Sequence, residues 1–306
     1  MRRPFAARSI AEPAGGYGGT VTTDKWARWL LTRRDGDNAG LRARHAPELE
    51  ALRDGVLDRA DLQPDDVLLD VGTGTGLIAF GALSRLGPDG RVIFSDISAD
   101  VLDVCRRTAG DDDRCRFVQA SADDLAGIPD ASVDVVTTRS VLIYLKRKDA
   151  AFAEFRRVLR PGGRLSLFEP INRFMKEHRP GDMFGLGDSP VADLLVKVRA
   201  EFGTGGPMVD FDERDLLRWA ADAGFEAVEL DYRAQLDVPD EPITDWATLK
   251  NTAPNPLAPT YGEAIAAALT EPERQRLDEH INALAEAGTP TRRTMAIAFL
   301  RAQLPD

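Results

Sequence analysis

The residues best suited to chemistry in this 306-residue chain sit at the ends of apolar runs. In Val67-Leu68-Leu69-Asp70-Val71-Gly72-Thr73-Gly74-Thr75-Gly76 an apolar run ends in a carboxylate, and three glycines follow at alternate positions. A run apolar on both faces predicts a parallel strand inside a sheet. Gly72, Gly74 and Gly76 let the backbone take positive φ and come close to a ligand. The helix predicted from Leu77 to Leu86 then presents free N–H groups and the positive end of its dipole at that point. A dinucleotide site would use the spacing G-x-G-x-x-G. Here the spacing is G-x-G-x-G, with Asp70 two residues ahead of the first glycine. A carboxylate there repels a diphosphate and suits a ligand that carries an amino group.

Further carboxylates follow the same pattern. Arg91-Val92-Ile93-Phe94-Ser95-Asp96 reads as a second strand ending in an acid twenty residues after Gly76, where a dinucleotide-type fold holds ribose hydroxyls. The plainer role for Asp96 is to cap a helix starting near Ser98. Phe117 to Ala120 reads as a third strand, followed by Ser121-Ala122-Asp123-Asp124-Leu125. Ala131 to Arg139 reads as a fourth. Ala153 to Glu169 reads as a helix, a Pro161-Gly162-Gly163 turn and a fifth strand.

In this order, over roughly residues 64–170, the motifs resemble those of the class I S-adenosylmethionine (SAM) methyltransferases. The resemblance implies an α/β fold, a doubly wound, mostly parallel seven-stranded sheet with helices on both faces. It implies SAM as cofactor, held by Asp70, Gly72, Thr73, Gly74, Gly76, Asp96, Ile97, Ala122, Asp123 and Arg139. Many members carry an acid where this chain has Ser121, so the adenine contact passes to Asp123 or to a backbone N–H.

Such a fold places Asp70, Asp96, Asp123, Arg139 and Glu169 at one edge of the sheet, because right-handed crossovers bring all the strand C-termini there. Around this core the chain divides into an N-terminal arm and lid helices (1–60), the cofactor-binding core (61–170), a substrate-side segment with one helix and the sixth strand (171–239), a helical insertion (240–290), and a last strand with its tail (291–306). Helices are expected from Asp24 to Leu31, with Trp26, Trp29 and Leu30 on one face, and from Glu48 to Ala60. Tyr17, Trp26 and Trp29 are candidates for ligand contact, against ordinary hydrophobic anchoring. After the fifth strand come a helix over Val191 to Phe202, a capped helix from Asp212 to Gly224, a strand from Phe225 to Leu236 and a strand from Arg293 to Ala302. The insertion between these two strands predicts helices around 261–269 and 271–287. A long insertion in a compact fold is usually functional; it reads as a substrate-shaping cap, with a homodimer surface as the alternative.

Composition narrows the function. Hydrophobic residues make up 43% and charged residues 29%, as in soluble globular proteins. No apolar run reaches the length of a membrane span, and the basic start lacks the apolar stretch of a secretion signal. A cytoplasmic enzyme is expected. A net charge of −11 argues against a nucleic-acid partner, because phosphate binding needs a basic face. Residues 1–44 run the other way, with nine Lys/Arg against four Asp/Glu, a net +5. Cys105 and Cys115 form neither a metal pattern nor a disulfide framework, and no metal is expected.

The transferred group rides on the cofactor, so the protein must position an acceptor and exclude water. A general base is needed for a hydroxyl of high pKa and not for a carboxylate. The sequence offers no strong base. The candidate catalytic residues are His178, Tyr144, which could orient the acceptor, and Arg139, which could pair with an acceptor carboxylate or one in the cleft. The chain lacks the Asn-Pro-Pro-Tyr segment of base and glutamine methylation and the cysteine triad of arsenite methylation. The expectation is methylation of a small molecule or a modified peptide, preferentially on oxygen. The alternatives are a non-catalytic SAM-binding sensor or subunit, and an NAD(P)-dependent oxidoreductase.

Overall fold

The apolar run at 67–71 becomes the middle of the molecule. The computed structural model describes residues 23–203 and 205–306. In chain order its elements are α1 (Lys25–Arg28), a π-helical turn (Trp29–Arg33), α2 (Ala39–Arg59), β1 (Val67–Val71), α3 (Leu77–Arg85), β2 (Arg91–Asp96), α4 (Ala99–Ala109), β3 (Cys115–Gln119), β4 (Val133–Arg139), a 3₁₀ turn (Leu142–Tyr144), α5 (Lys148–Val158), β5 (Leu159–Pro170) and α6 (Asn172–His178). Then follow α7 (Ala192–Ala200), α8 (Glu213–Asp222), β6 (Glu226–Asp240), α9 (Trp246–Lys250), α10 (Tyr261–Ala268), α11 (Glu271–Glu286) and β7 (Thr291–Gln303).

The described strands form one seven-stranded sheet in the order β3-β2-β1-β4-β5-β7-β6. Strands β1 to β5 are parallel, whereas β7 is antiparallel to both β5 and β6. The order reverses beside β1, so the crevice for a ligand lies beyond the C-terminal ends of β1, β2 and β4. One face of the sheet packs Leu69, Val136 and Leu165 with Phe152 and Phe155 of α5. The other packs Leu68, Val92 and Phe94 against α2 and α3. A third apolar cluster lies off the sheet and joins α7 to the insertion through Leu194, Leu195, Val198, Trp246, Ile265, Leu277 and Ile281.

Element types follow the sequence, and the differences have local causes. The first helix breaks into α1 and a π-helical turn after Asp24, whose carboxylate caps it by accepting from Trp26 and Ala27 N–H. Helix α2 begins at an Asn38 cap and runs through Pro47, nine residues ahead of the expected Glu48. Pro161 to Gly163 lie inside β5 as an irregular edge, with Gly162 at φ 70°, rather than in a separate turn. His178 ends a helix, α6, where a loop was expected. The capped helix at Asp212 is present, with Asp212 and Asp215 forming a reciprocal capping box. Strand β6 runs four residues past Leu236. No described helix is long and apolar enough to cross a membrane.

Candidate active site

The glycine loop is built as its spacing requires. Gly72, Gly74 and Gly76 take φ values of 66°, 54° and 87°, a region that L side chains avoid. A Cβ on Gly72 would lie 2.2 Å from Val141 Cγ2, and one on Gly76 would lie 2.4 Å from the Phe80 ring. A Cβ on Gly74 would meet only Leu30, at 3.6 Å. Two of the glycines therefore serve packing, while Gly74 leaves its space to the cavity. Thr73 N–H donates to Ser95 O at 2.9 Å and Gly76 N–H to Thr73 O at 2.9 Å, closing the turn.

Asp70 is buried and fully engaged. Its Oδ2 accepts from Thr73 Oγ1 at 2.7 Å and its Oδ1 from Thr137 Oγ1 at 2.9 Å. Burial raises its pKa to about 6, against the opposing pull of the two hydroxyls. It lines the cavity, but both oxygens already hold the loop to β4. Asp96 ends β2 with its Oδ2 accepting from Gly74 N–H at 3.0 Å and its Oδ1 from Ser98 N–H at 2.9 Å. Burial pushes its pKa above the ordinary carboxylate value. A carboxylate offers about four lone-pair sites, so capacity for ligand hydroxyls remains. The capping of α4 falls to Ser98, whose Oγ accepts from Val101 N–H.

These groups open onto one cavity of about 1200 Å³, larger than the roughly 300–1,000 Å³ usual for a single ligand. Asp70, Gly72, Thr73, Gly74, Asp96, Ile97, Ala122, Asp123, Arg139 and Tyr144 all line it. Gly76 and His178 do not. His178 is exposed on α6, its ring stacked on Phe174 at 4.2 Å and its Nδ1 within 2.8 Å of Phe174 O. It is thereby removed as a candidate base. Glu169 also departs from the cleft. It is buried at the end of β5, where Oε1 accepts from Val141 and Leu142 N–H at 2.8 and 2.9 Å and Oε2 from Ile143 N–H at 3.4 Å. Burial raises its pKa to about 7.

Tyr144 stands edge-on to Trp26, with ring centroids 5.0 Å apart. Burial, reinforced by Glu169, holds its hydroxyl well above the ordinary phenol value, so it donates a hydrogen bond rather than accepting a proton. Arg139 is half-buried at the end of β4 and makes no hydrogen bond or ion pair among the described residues. Burial, then the neighbouring Arg34, lowers its pKa.

Part of the segment before β1 reaches the cavity. Trp26, Trp29, Leu30 and Arg34 line it, whereas Tyr17 lies outside the described residues. Trp29 Nε1–H donates to Ala253 O at 2.8 Å, tying the lid to the insertion. Several lining residues had not been singled out: Lys146, Lys176, Arg179, Val196, Arg199 and Phe202. Thr137 was missed too, although two threonines following the apolar Val135-Val136 of β4 were a readable sign of a polar partner.

Residues 69–167 match the family model described as a methyltransferase domain. A ubiquinone/menaquinone biosynthesis C-methyltransferase from Hahella chejuensis is 34% identical over 152 residues, covering 48% of this chain and 60% of that protein. The protein of the same description from Pseudomonas putida is 33% identical over 182 residues, covering 56% of this chain and 70% of its own length. The match thus spans less than two thirds of the Hahella protein. Among solved structures, one determined as a complex with the Haloferax volcanii Trm112 methyltransferase activator superposes with a TM-score of 0.51 at 19% identity, over 92% of this chain and 99% of that one. At that identity the likeness is one of fold.

Proposed function

The chain belongs to the class I SAM-dependent methyltransferases, and we propose that it methylates an oxygen of a small molecule or of a modified peptide. When bound, SAM supplies a methyl group on a sulfonium, so the bond-breaking reactivity is the cofactor's. The residues present fit that cofactor. Gly74 leaves open space beside Asp96, which keeps free lone pairs, and the cavity has room for an acceptor as well. In this reading Gly72 to Gly74, Asp96, Ile97, Ala122 and Asp123 hold the cofactor. Asp70 acts through the loop it fastens, and its charge favours the cationic cofactor over a diphosphate.

What supports the oxygen assignment is the lack of a histidine base among the described lining residues; Asp182, the carboxylate on the acceptor side, is engaged by Gly187 N–H. None of the three histidines lines the cavity, and the Tyr144 phenol holds its proton. Positioning then does the work, which can supply effective molarities of about 10⁵–10⁸ M. Tyr144 orients the acceptor, and Trp26, Trp29 and the insertion exclude water. Methylation at carbon, which the names of the two ubiquinone/menaquinone relatives give, is the second reading, and it asks for a group that removes a proton from the acceptor.

Two measurements test the proposal. SAM should raise the thermal stability and NADH should not; a ligand at 100 times its Kd stabilises by about 2.7 kcal/mol. Labelled methyl transfer into an extract, with the product identified, should show an O-methyl group. Tight SAM binding without turnover would instead indicate a non-catalytic sensor.

A further inference from the structure

Charge is divided across the cavity along the sheet. The whole chain is acidic, with 39 Lys/Arg against 50 Asp/Glu, yet six Lys/Arg line the cavity against four Asp. Three of those acids, Asp70, Asp96 and Asp123, lie at or just past the ends of β1, β2 and β3. The cations lie on the other side of β1: Arg139 ends β4, Lys146 follows it, Lys176 is on α6 and Arg199 on α7. A cofactor positive at sulfur and nitrogen belongs on the acidic side. The basic side is left for the acceptor.

Arg139, Lys146, Lys176 and Arg199 make no hydrogen bond or ion pair among the described residues. The other two lining cations are satisfied, Arg34 by Asp35 and Arg179 by Asp188 and Asp237. Lys146 and Lys176 are exposed, whereas Arg139 and Arg199 are half-buried; desolvating these two without a hydrogen-bonding partner is costly, and an incoming anion removes that cost. This side also carries apolar lining, Val196, Phe202 and Met208, beside Asn172 and the fourth acid, Asp182, which already accepts from Gly187 N–H at 2.7 Å.

We propose that the acceptor is an amphipathic carboxylic acid whose carboxylate is both the anchored group and the nucleophile. It seats at Arg139, at the seam between the two halves, while Lys146, Lys176 and Arg199 draw it in against the net charge of the protein. This rests on the oxygen-methylation reading and explains the missing base. One carboxylate oxygen forms the new bond to the methyl carbon as the methyl–sulfur bond breaks, and the electron pair of that bond goes to sulfur. A carboxylate and a sulfonium become a neutral ester and a neutral thioether, and no proton moves. The ester no longer carries the charge that the four cations attract, so product leaves more readily than substrate.

The test uses the full chain, methyl-labelled SAM and a small-molecule extract split on an anion exchanger. Label should enter the retained fraction and be released as volatile methanol by mild base, which cleaves carboxylic methyl esters and spares ethers, methylamines, C-methyl groups and methyl phosphates. Base-stable label, or label confined to the unretained fraction, would overturn the proposal while leaving methyltransferase activity standing. No label in any fraction despite SAM binding would overturn the activity itself. With the labelled acid as substrate, Arg199→Gln should raise the acceptor KM about 10- to 100-fold and leave the SAM Kd within about twofold. Arg139→Gln should do the same, with partial recovery in Arg139→Lys. A raised SAM Kd with unchanged acceptor KM in Arg139→Gln would assign that guanidinium to the cofactor carboxylate instead and refute the seat.

Discussion

Replacing Glu169 with Gln tests how the fold holds its active-site turn. The carboxylate is fully buried and binds the amides of Val141, Leu142 and Ile143. That turn leads into Tyr144, and Val141 packs against Gly72. Burial raises the Glu169 pKa from 4.5 to about 7. Between those values the folded protein keeps a proton that the unfolded chain has lost. Stability from this group is therefore complete below about pH 4.5 and falls as pH rises through about 7. The gap corresponds to about 3 kcal/mol, at about 1.4 kcal/mol per tenfold change in proton affinity. A glutamine carbonyl can replace Oε1 toward Val141 and Leu142, while its NH₂ loses the long bond to Ile143, costing about 1 kcal/mol. Glu169→Gln should thus be less stable than the parent by about 1 kcal/mol at pH 4, nearly level with it at pH 5, and more stable by about 2 kcal/mol at pH 8. Urea unfolding of both proteins at four pH values, followed by tryptophan fluorescence, checks this. Asp70 titrates in an overlapping range, but it is common to both proteins and cancels in the difference. Parallel stability–pH curves would refute the reasoning.

Gly74→Ala should fold with a loss of about 1–2 kcal/mol from its left-handed backbone, since its Cβ meets only Leu30. Calorimetry should nevertheless show SAM affinity reduced at least about 10-fold, because a cost of about 1.4 kcal/mol at the ligand is already tenfold; unchanged affinity would place the cofactor elsewhere. Asp96→Ala removes the acceptor for Gly74 and Ser98 N–H along with the expected ribose contacts, so SAM Kd should rise about 100-fold, with Asp96→Asn between the two. Trp29→Phe deletes the indole donation to Ala253 O. It should cost about 1 kcal/mol in urea unfolding and raise the acceptor KM more than the SAM Kd; equal effects on both would show that the lid does not favour the acceptor side.

That the residues proposed to hold the cofactor would share one cavity was legible because they are local in sequence. Strand, carboxylate and glycine loop are consecutive residues, and each constraint on φ or burial acts within a few positions of its cause. What was not legible was which atoms the carboxylates engage. Asp70 and Glu169 both lie at strand ends, as the alternation of strands and helices required. Yet Asp70 is taken up by Thr137, sixty-seven residues away, and Glu169 by a turn twenty-six to twenty-eight residues before it. A buried carboxylate takes whichever donors the packed fold brings to it, and spacing along the chain does not report them. His178 failed for a similar reason. The chain after β5 continues as a helix, and a helix fixes which way each side chain faces.

The acceptor half lies further from the sequence because its cations are placed by packing against the insertion. Helix α7 buries Leu194, Leu195 and Val198 in the off-sheet cluster formed with α9, α10 and α11. Val196, Arg199 and Ala200 are left to the cavity, three and four residues apart, as one helical face requires. Which face of α7 is inward depends on where the insertion lies. The apolar residues of α10 and α11 therefore help set which charges that wall presents. Of the basic residues in the first 44 positions, among the described ones only Arg34 reaches the cavity, and Asp35 engages it. The positive wall comes instead from segments following β4 and β5, in a stretch of chain whose net charge is −16 beyond residue 44. A local excess of cations inside an acidic protein has to be held there by packing. On the proposed reading the insertion acts on acceptor choice through α7, in addition to the direct contribution of Pro254 and Asn255 to the cavity lining.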